Sequence, residues 1–264
     1  MRNLLLPLGR QAILPFGRLL GRAIMDVTIE GKEHLPKNGE PVMVISNHFG
    51  WFDAPLLTFY LPFQPAFLIA TESYRKWWVR AFANMFNCVP IWRGQVDRDA
   101  FKGAINTLNS GISLGVFPEG GINPELAERI ARGEQIHQFR GLMSRRGGVL
   151  ARAKPGTALL AVMSNVRILP AGLIGSENVL ENVQNYRRSK VTLRLGPMFG
   201  PLKIEPGVRG AERRRRIDRM ADAMMARVAA LFPPEQRGPY RDYDPTLESG
   251  LSGEAEPTTS DSTL

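Results

Sequence analysis

The sequence predicts an α/β fold: a mostly parallel mixed sheet flanked by helices, preceded by a short N-terminal amphipathic helical segment. Three observations carry this expectation. From Val27 onward, β-forming runs alternate with segments of helical period. The run Val42–Ser46 stays apolar up to its last residue, as in a strand covered on both faces. In Glu212–Phe232, the residues Ile217, Met220, Ala221, Met224, Met225, Val228 and Leu231 form one apolar stripe, the mark of a helix laid on a core.

The elements follow in order. Residues 1–25 contain Arg10, Arg18 and Arg22 among apolar residues, together with Pro7 and Pro15. A membrane span needs about 20 uninterrupted apolar residues, and a signal peptide keeps its charges at the start; this segment does neither. It reads as short apolar helices broken at the prolines, with arginines placed to meet anionic headgroups in a membrane interface. Val27–Glu30 is a short strand, followed by a turn-rich connection. Pro55 marks a helix start, with proline at the first helical position. Ala66–Ala70 is the next strand. Tyr74–Phe86 is expected to be a helix burying Trp78, Phe82, Met85 and Phe86 on one face. Val89–Trp92 is a strand, Arg98–Leu108 a helix, and Ile112–Phe117 a strand stopped by Pro118. Gly147–Arg152 is expected to be helical, and Val166–Pro170 and Val191–Leu195 to be strands. Residues 26–236 make one domain, and 237–264, rich in Ser, Thr, Pro, Gly and acids, are expected to be a disordered acidic tail.

Charge narrows the partners. The chain carries a net +9, yet residues 241–264 hold one arginine against six acids, so the body is more basic than the total. Such a body suits an anionic membrane surface, a phosphorylated or acidic substrate, or nucleic acid. No RNA-binding aromatic signature, zinc-finger spacing or helix-turn-helix points to nucleic acid. The single cysteine, Cys88, excludes an internal disulfide and sits among apolar neighbours as packing. His34, His48 and His137 show no metal-ligand spacing, and there is no Gly-x-Ser-x-Gly elbow for a hydrolase. Arg213–Arg216 read as the solvated face of the last helix.

In α/β sheets, sites form at the carboxyl ends of strands. Here those ends carry Asn47, His48 and Asp53; then Arg93-Gly94; then Pro118-Glu119-Gly120-Gly121; then Pro170-Ala171-Gly172. On a regular helix, His48 and Asp53 would diverge by about 140°. They meet only across an irregular turn, and Pro55 disfavours helical geometry at Ala54. Asp53 then fixes the imidazole tautomer and leaves the other nitrogen as a base. This is the His–Asp half of a triad without its serine, suited to a reaction whose nucleophile is a substrate hydroxyl.

Asn47–Asp53 (NHFGWFD) resembles the HX4D block of glycerolipid acyltransferases of the lysophosphatidate (1-acyl-sn-glycerol-3-phosphate) type. Val89–Arg93 (VPIWR) resembles that family's second block, Phe117–Gly120 (FPEG) its third and Ile168–Ala171 (ILPA) its fourth, in the family's order over roughly residues 27–200. The resemblance implies that His48 takes the acceptor hydroxyl's proton while Asp53 orients it. The hydroxyl attacks the thioester of acyl-CoA or acyl-carrier protein, with no metal and no other cofactor. Arg93, Glu119, Gly120 and Pro170 become substrate-binding residues, and backbone N–H groups near Gly120 become oxyanion donors. It also implies membrane lipids as partners, a place in phospholipid synthesis, and a peripheral position on the cytoplasmic face of the membrane.

The sequence departs from the family in two places. Where the third block usually runs Glu-Gly-Thr-Arg-Ser, this chain has Glu119-Gly120-Gly121-Ile122-Asn123, and no lysine follows the strand at Ala70-Thr71-Glu72. Arg140, Arg145 and Arg146 are candidate replacements for the missing cations. An acyltransferase for a different, non-phosphorylated acceptor is therefore the alternative. A non-catalytic lipid-binding protein is the alternative of another class.

Overall fold

The structure, a computed structural model, describes residues 2–92, 97–123, 144–145 and 147–243. The apolar run becomes β2 (Met43–Ser46), every residue of it buried. Among the described residues, seven strands form one sheet in the order β1 (Met25–Glu30), β7 (Ser189–Leu195), β6 (Ile168–Ile174), β2, β5 (Leu114–Val116), β3 (Ala66–Ala70) and β4 (Val89–Ile91). Neighbours run parallel except β6 and β7. Helices α1 (Arg2–Ile24), α2 (Asp53–Tyr60), α3 (Trp77–Met85), α4 (Arg98–Asn109), α5 (Pro155–Ser164), α6 (Val179–Gln184) and α7 (Gly210–Ala229) complete the described framework.

The pleat of β2 divides the core. Met43 and Ile45 pack with α4, α5 and α7 through Leu108, Ala161 and Met224. Val44 turns to the other face, with Leu56 and Leu57 of α2. Burying each large apolar side chain contributes about 2 kcal/mol. That is how α7 stays helical and docked although its first turns hold Arg213–Arg216.

Several expectations need correction. α1 is one helix that runs through Pro7 and Pro15 rather than a broken set. Its docking on α2 outweighs the missing N–H groups: a Cβ at Gly17 would stand 2.6 Å from Phe59 and one at Gly21 2.8 Å from the Tyr60 hydroxyl, and Arg18 Nε donates to the Phe59 carbonyl. Phe86 is buried as expected, but within α3 the buried residues are Val79 and Ala83, Phe82 and Met85 are only partly buried, and Trp78 is 43% exposed. Residues 148–154 are irregular, not helical, because their N–H groups go elsewhere: Leu150 to the Gln236 carbonyl, Ala151 to Glu119, Ala153 to Tyr240 and Lys154 to the Pro118 carbonyl. Residues 237–243, assigned to the tail, pack onto this strap through the buried Tyr240. Residues 244–264 lie outside the described residues.

Candidate active site

β2 ends where its pairing with β6 passes from main chain to side chain. Asn47 Oδ1 accepts the Leu173 N–H at 2.8 Å, and Asn47 Nδ2 donates to the Leu173 carbonyl at 3.0 Å. One buried amide supplies the rung that a strand residue would have made, and the backbone is released to turn. The turn closes as the Asp53 N–H reaches the Gly50 carbonyl. Asp53 begins α2 and Pro55 sits two positions in, among the first N–H groups that lack helical partners, so it costs the helix nothing there.

This geometry brings His48 Nδ1 to 2.9 Å from Asp53 Oδ2. The same oxygen accepts the Phe49 N–H at 2.6 Å and the Gly50 N–H at 2.8 Å. With Asp53 accepting, Nδ1 carries the proton and Nε2 the lone pair. Nε2 has no hydrogen-bond partner among the described residues, and the His48 side chain is 16% exposed. The ring stacks on that of Phe117, centroids 4.0 Å apart and planes nearly parallel, and Phe117 stacks in turn on Phe67. Asp53 therefore fixes the imidazole by its edge and Phe117 by its face.

Glu119, wholly buried at the carboxyl end of β5, secures the backbone beside that ring. Its Oε1 accepts the His48 N–H at 3.0 Å; its Oε2 accepts the Ala151 N–H at 2.9 Å and pairs with the Arg145 guanidinium. Arg145 commits four of its five guanidinium N–H donors to the protein itself. Nε binds the Ile122 carbonyl, Nη2 the Gly121 carbonyl and Nη1 the Val149 carbonyl, while its own N–H binds the Phe49 carbonyl. Burial pushes the Glu119 carboxyl up, against the pull of Arg145 and the two N–H groups.

A further carboxyl stands at the carboxyl end of β6. Glu177 packs against Gly148, and its Oε2 is buried without a hydrogen-bond partner among the described residues, as is Asp53 Oδ1. Burial raises the Glu177 carboxyl above the ordinary range, and the negative charge of Asp53 adds to the rise.

The structure thus brings together His48, Asp53 and Glu119, with Gly120 in the turn that follows. The Gly120 N–H is spent on the Phe117 carbonyl at 3.0 Å, which removes it as an oxyanion donor; its φ of +80° suits the glycine. Pro170 forms no turn. It is buried within β6 opposite Ile45, in the middle of the sheet, because the strand continues to Ile174. Arg93, Arg140 and Arg146 lie outside the described residues. Arg145 is present, but as a staple among loop carbonyls and not as a free cation. Sequence reading did not find the amide rung of Asn47 or the carboxyl of Glu177. The signal for Asn47 was a polar residue at the exit of a buried strand, and for Glu177 an acid two residues after Gly175, the glycine that follows β6.

Comparison with known proteins bears on the family and the fold. A family model described as Acyltransferase matches residues 26–174. Among solved structures, the fold is similar to that of the 1-acyl-sn-glycerophosphate (LPA) acyltransferase PlsC from Thermotoga maritima. The TM-score is 0.56 at 22% sequence identity, covering 84% of this chain and 80% of that one.

Proposed function

Since the chain belongs to the acyltransferase family, we propose that it moves a fatty acyl group from acyl-CoA or acyl-carrier protein to the hydroxyl of a lysophospholipid or glycerol phosphate. The leading acceptor is 1-acyl-sn-glycerol-3-phosphate, the substrate type in the name of the similar structure. One observation carries the reading: His48 is held through Nδ1 by Asp53 and presents Nε2 outward. The acceptor hydroxyl gives its proton to Nε2 as its oxygen attacks the thioester carbonyl, and Asp53 balances the imidazolium. The C–S bond then breaks and the proton passes to the departing thiolate. A positioned base of this kind contributes about 10²–10⁴-fold in rate.

The same reading places the protein peripherally on the cytoplasmic face of a membrane, in phospholipid synthesis, with residues 1–25 in the interface. No described helix is long and apolar enough to cross a membrane. Trp77, Trp78 and Trp92 are 76%, 43% and 60% exposed, and they follow β3 and β4 at the end of the sheet that carries His48. Indole rings favour the boundary between lipid and water.

Labelled acyl-CoA and acyl-carrier protein, offered with a panel of lysolipids, test the proposal. Wild-type protein transfers the label, and His48→Ala loses about 10²–10⁴-fold. No transfer to any acceptor, or full activity in the variant, sinks it. The second reading, a non-phosphorylated acceptor, is favoured by the engagement of Arg145 with Glu119. Glycerol phosphate analogues distinguish the two: competition supports the phosphorylated acceptor, and its absence supports the other.

A further inference from the structure

Away from His48, a cleft of about 370 Å³ opens where α1 meets β1. Arg22, Lys32 and Arg188 line it, and among its described lining residues Asp26 alone is acidic. All three cations are exposed. None has an acidic side chain within ion-pair distance among the described residues, and Arg188 is steadied by a bond from Nη2 to the Met25 carbonyl. Three cations against the single carboxylate of Asp26 leave the cleft net positive, a setting that favours an anion. Arg22 also borders a second, apolar groove on α1, formed by Phe16, Leu19 and Leu20. These three are 63%, 67% and 56% exposed, on a helix whose Gly17 and Gly21 side is already docked on α2.

We infer that the cleft and groove together bind one anionic phospholipid of the membrane, its headgroup in the cleft lined by Arg22, Lys32 and Arg188 and its acyl chain along Phe16, Leu19 and Leu20. The inference rests on the interfacial reading given above and adds to it a particular site and ligand class. Two features point to a lipid rather than a free phosphate. The cationic and apolar surfaces are continuous through Arg22, and the apolar part has no use for a water-soluble anion. Guanidinium groups match phosphate oxygens in forked pairs, and each cation near an anionic membrane strengthens binding about five-fold.

The test is co-sedimentation of the full chain with vesicles of phosphatidylcholine alone or with 30% phosphatidylglycerol. Wild type is expected to prefer the anionic vesicles. Lys32→Glu with Arg188→Glu should weaken that binding at least about 10-fold, and Phe16→Ser with Leu20→Ser should weaken it independently. Arg214→Glu with Arg215→Glu, an equal charge change on exposed α7 residues, should have less effect. Equal loss in both charge-reversed proteins, or equal wild-type binding to both vesicle types, would overturn the site. So would complete displacement by millimolar inorganic phosphate, which would assign the cleft to a free anion. His48→Ala is expected to bind vesicles as wild type does, so failure of the catalytic reading leaves this result standing.

Discussion

The Glu119 carboxylate accepts the backbone N–H of His48 at 3.0 Å, and its other oxygen pairs with Arg145. The loop that follows β5 therefore anchors the proposed base through its main chain, while Asp53 orients the ring. Glu119→Gln keeps one acceptor but leaves the Arg145 guanidinium in a buried setting without its charge partner. It is expected to lose about 3 kcal/mol of stability together with most of the activity. Urea unfolding alongside turnover checks this, and wild-type stability would contradict the described role.

Asp53 Oδ2 receives three donors, so its oxygen places the ring as well as balancing it. Asp53→Asn is expected to lower kcat by about 10³–10⁴-fold through loss of the charge and of the correct tautomer. KM for the acyl donor should change little. A proportional rise in KM with unchanged kcat would mean that Asp53 serves binding instead.

Arg145 discriminates between the two acceptor readings. Its donors reach Glu119 and the carbonyls of Gly121, Ile122 and Val149. Arg145→Lys should therefore lower stability and kcat, and should alter KM for phosphorylated and phosphate-free acceptors by the same factor. A KM increase confined to phosphorylated acceptors would show that Arg145 meets the acceptor's phosphate.

Tyr240 supplies a pH test. Its hydroxyl donates to Asp222 Oδ1 and accepts the Ala153 N–H, both at 2.8 Å, and burial is the chief cause of its raised pKa. Tyr74 is likewise pushed up to about 12 by burial. An acid that holds its proton more tightly when folded contributes stability below its unfolded pKa, near 10, and loses it as the pH rises from there through the folded value. Unfolding free energy should thus fall from about pH 10 upward. Tyr240→Phe is expected to cost about 1–3 kcal/mol at pH 8 and to reduce that alkaline loss. An unchanged slope would assign the loss to other groups.

The sheet was legible because burial leaves a simple trace: Val42–Ser46 has no polar side chain before its end, and the stripe of α7 repeats every three or four residues. His48 and Asp53 were legible because their spacing suited no regular element. Other features were decided by contacts distant in sequence. The helix expected at 147–152 fails because partners at 118, 119, 236 and 240 take its N–H groups. Pro15 does not break α1, whose following turns dock on Phe59 and Tyr60. Arg145 read as a spare cation because sequence cannot tell a charge facing solvent from one surrounded by carbonyls.

The antiparallel step between β6 and β7 has a spatial result. Because β1 then runs with β7, Met25 and the last turn of α1 stand at the same end of the sheet as His48. A single reversal of strand direction gives the molecule one working pole. The segment proposed to rest on lipid and the base proposed to act on lipid share a horizon, so an acceptor need not be lifted clear of the bilayer to be acylated.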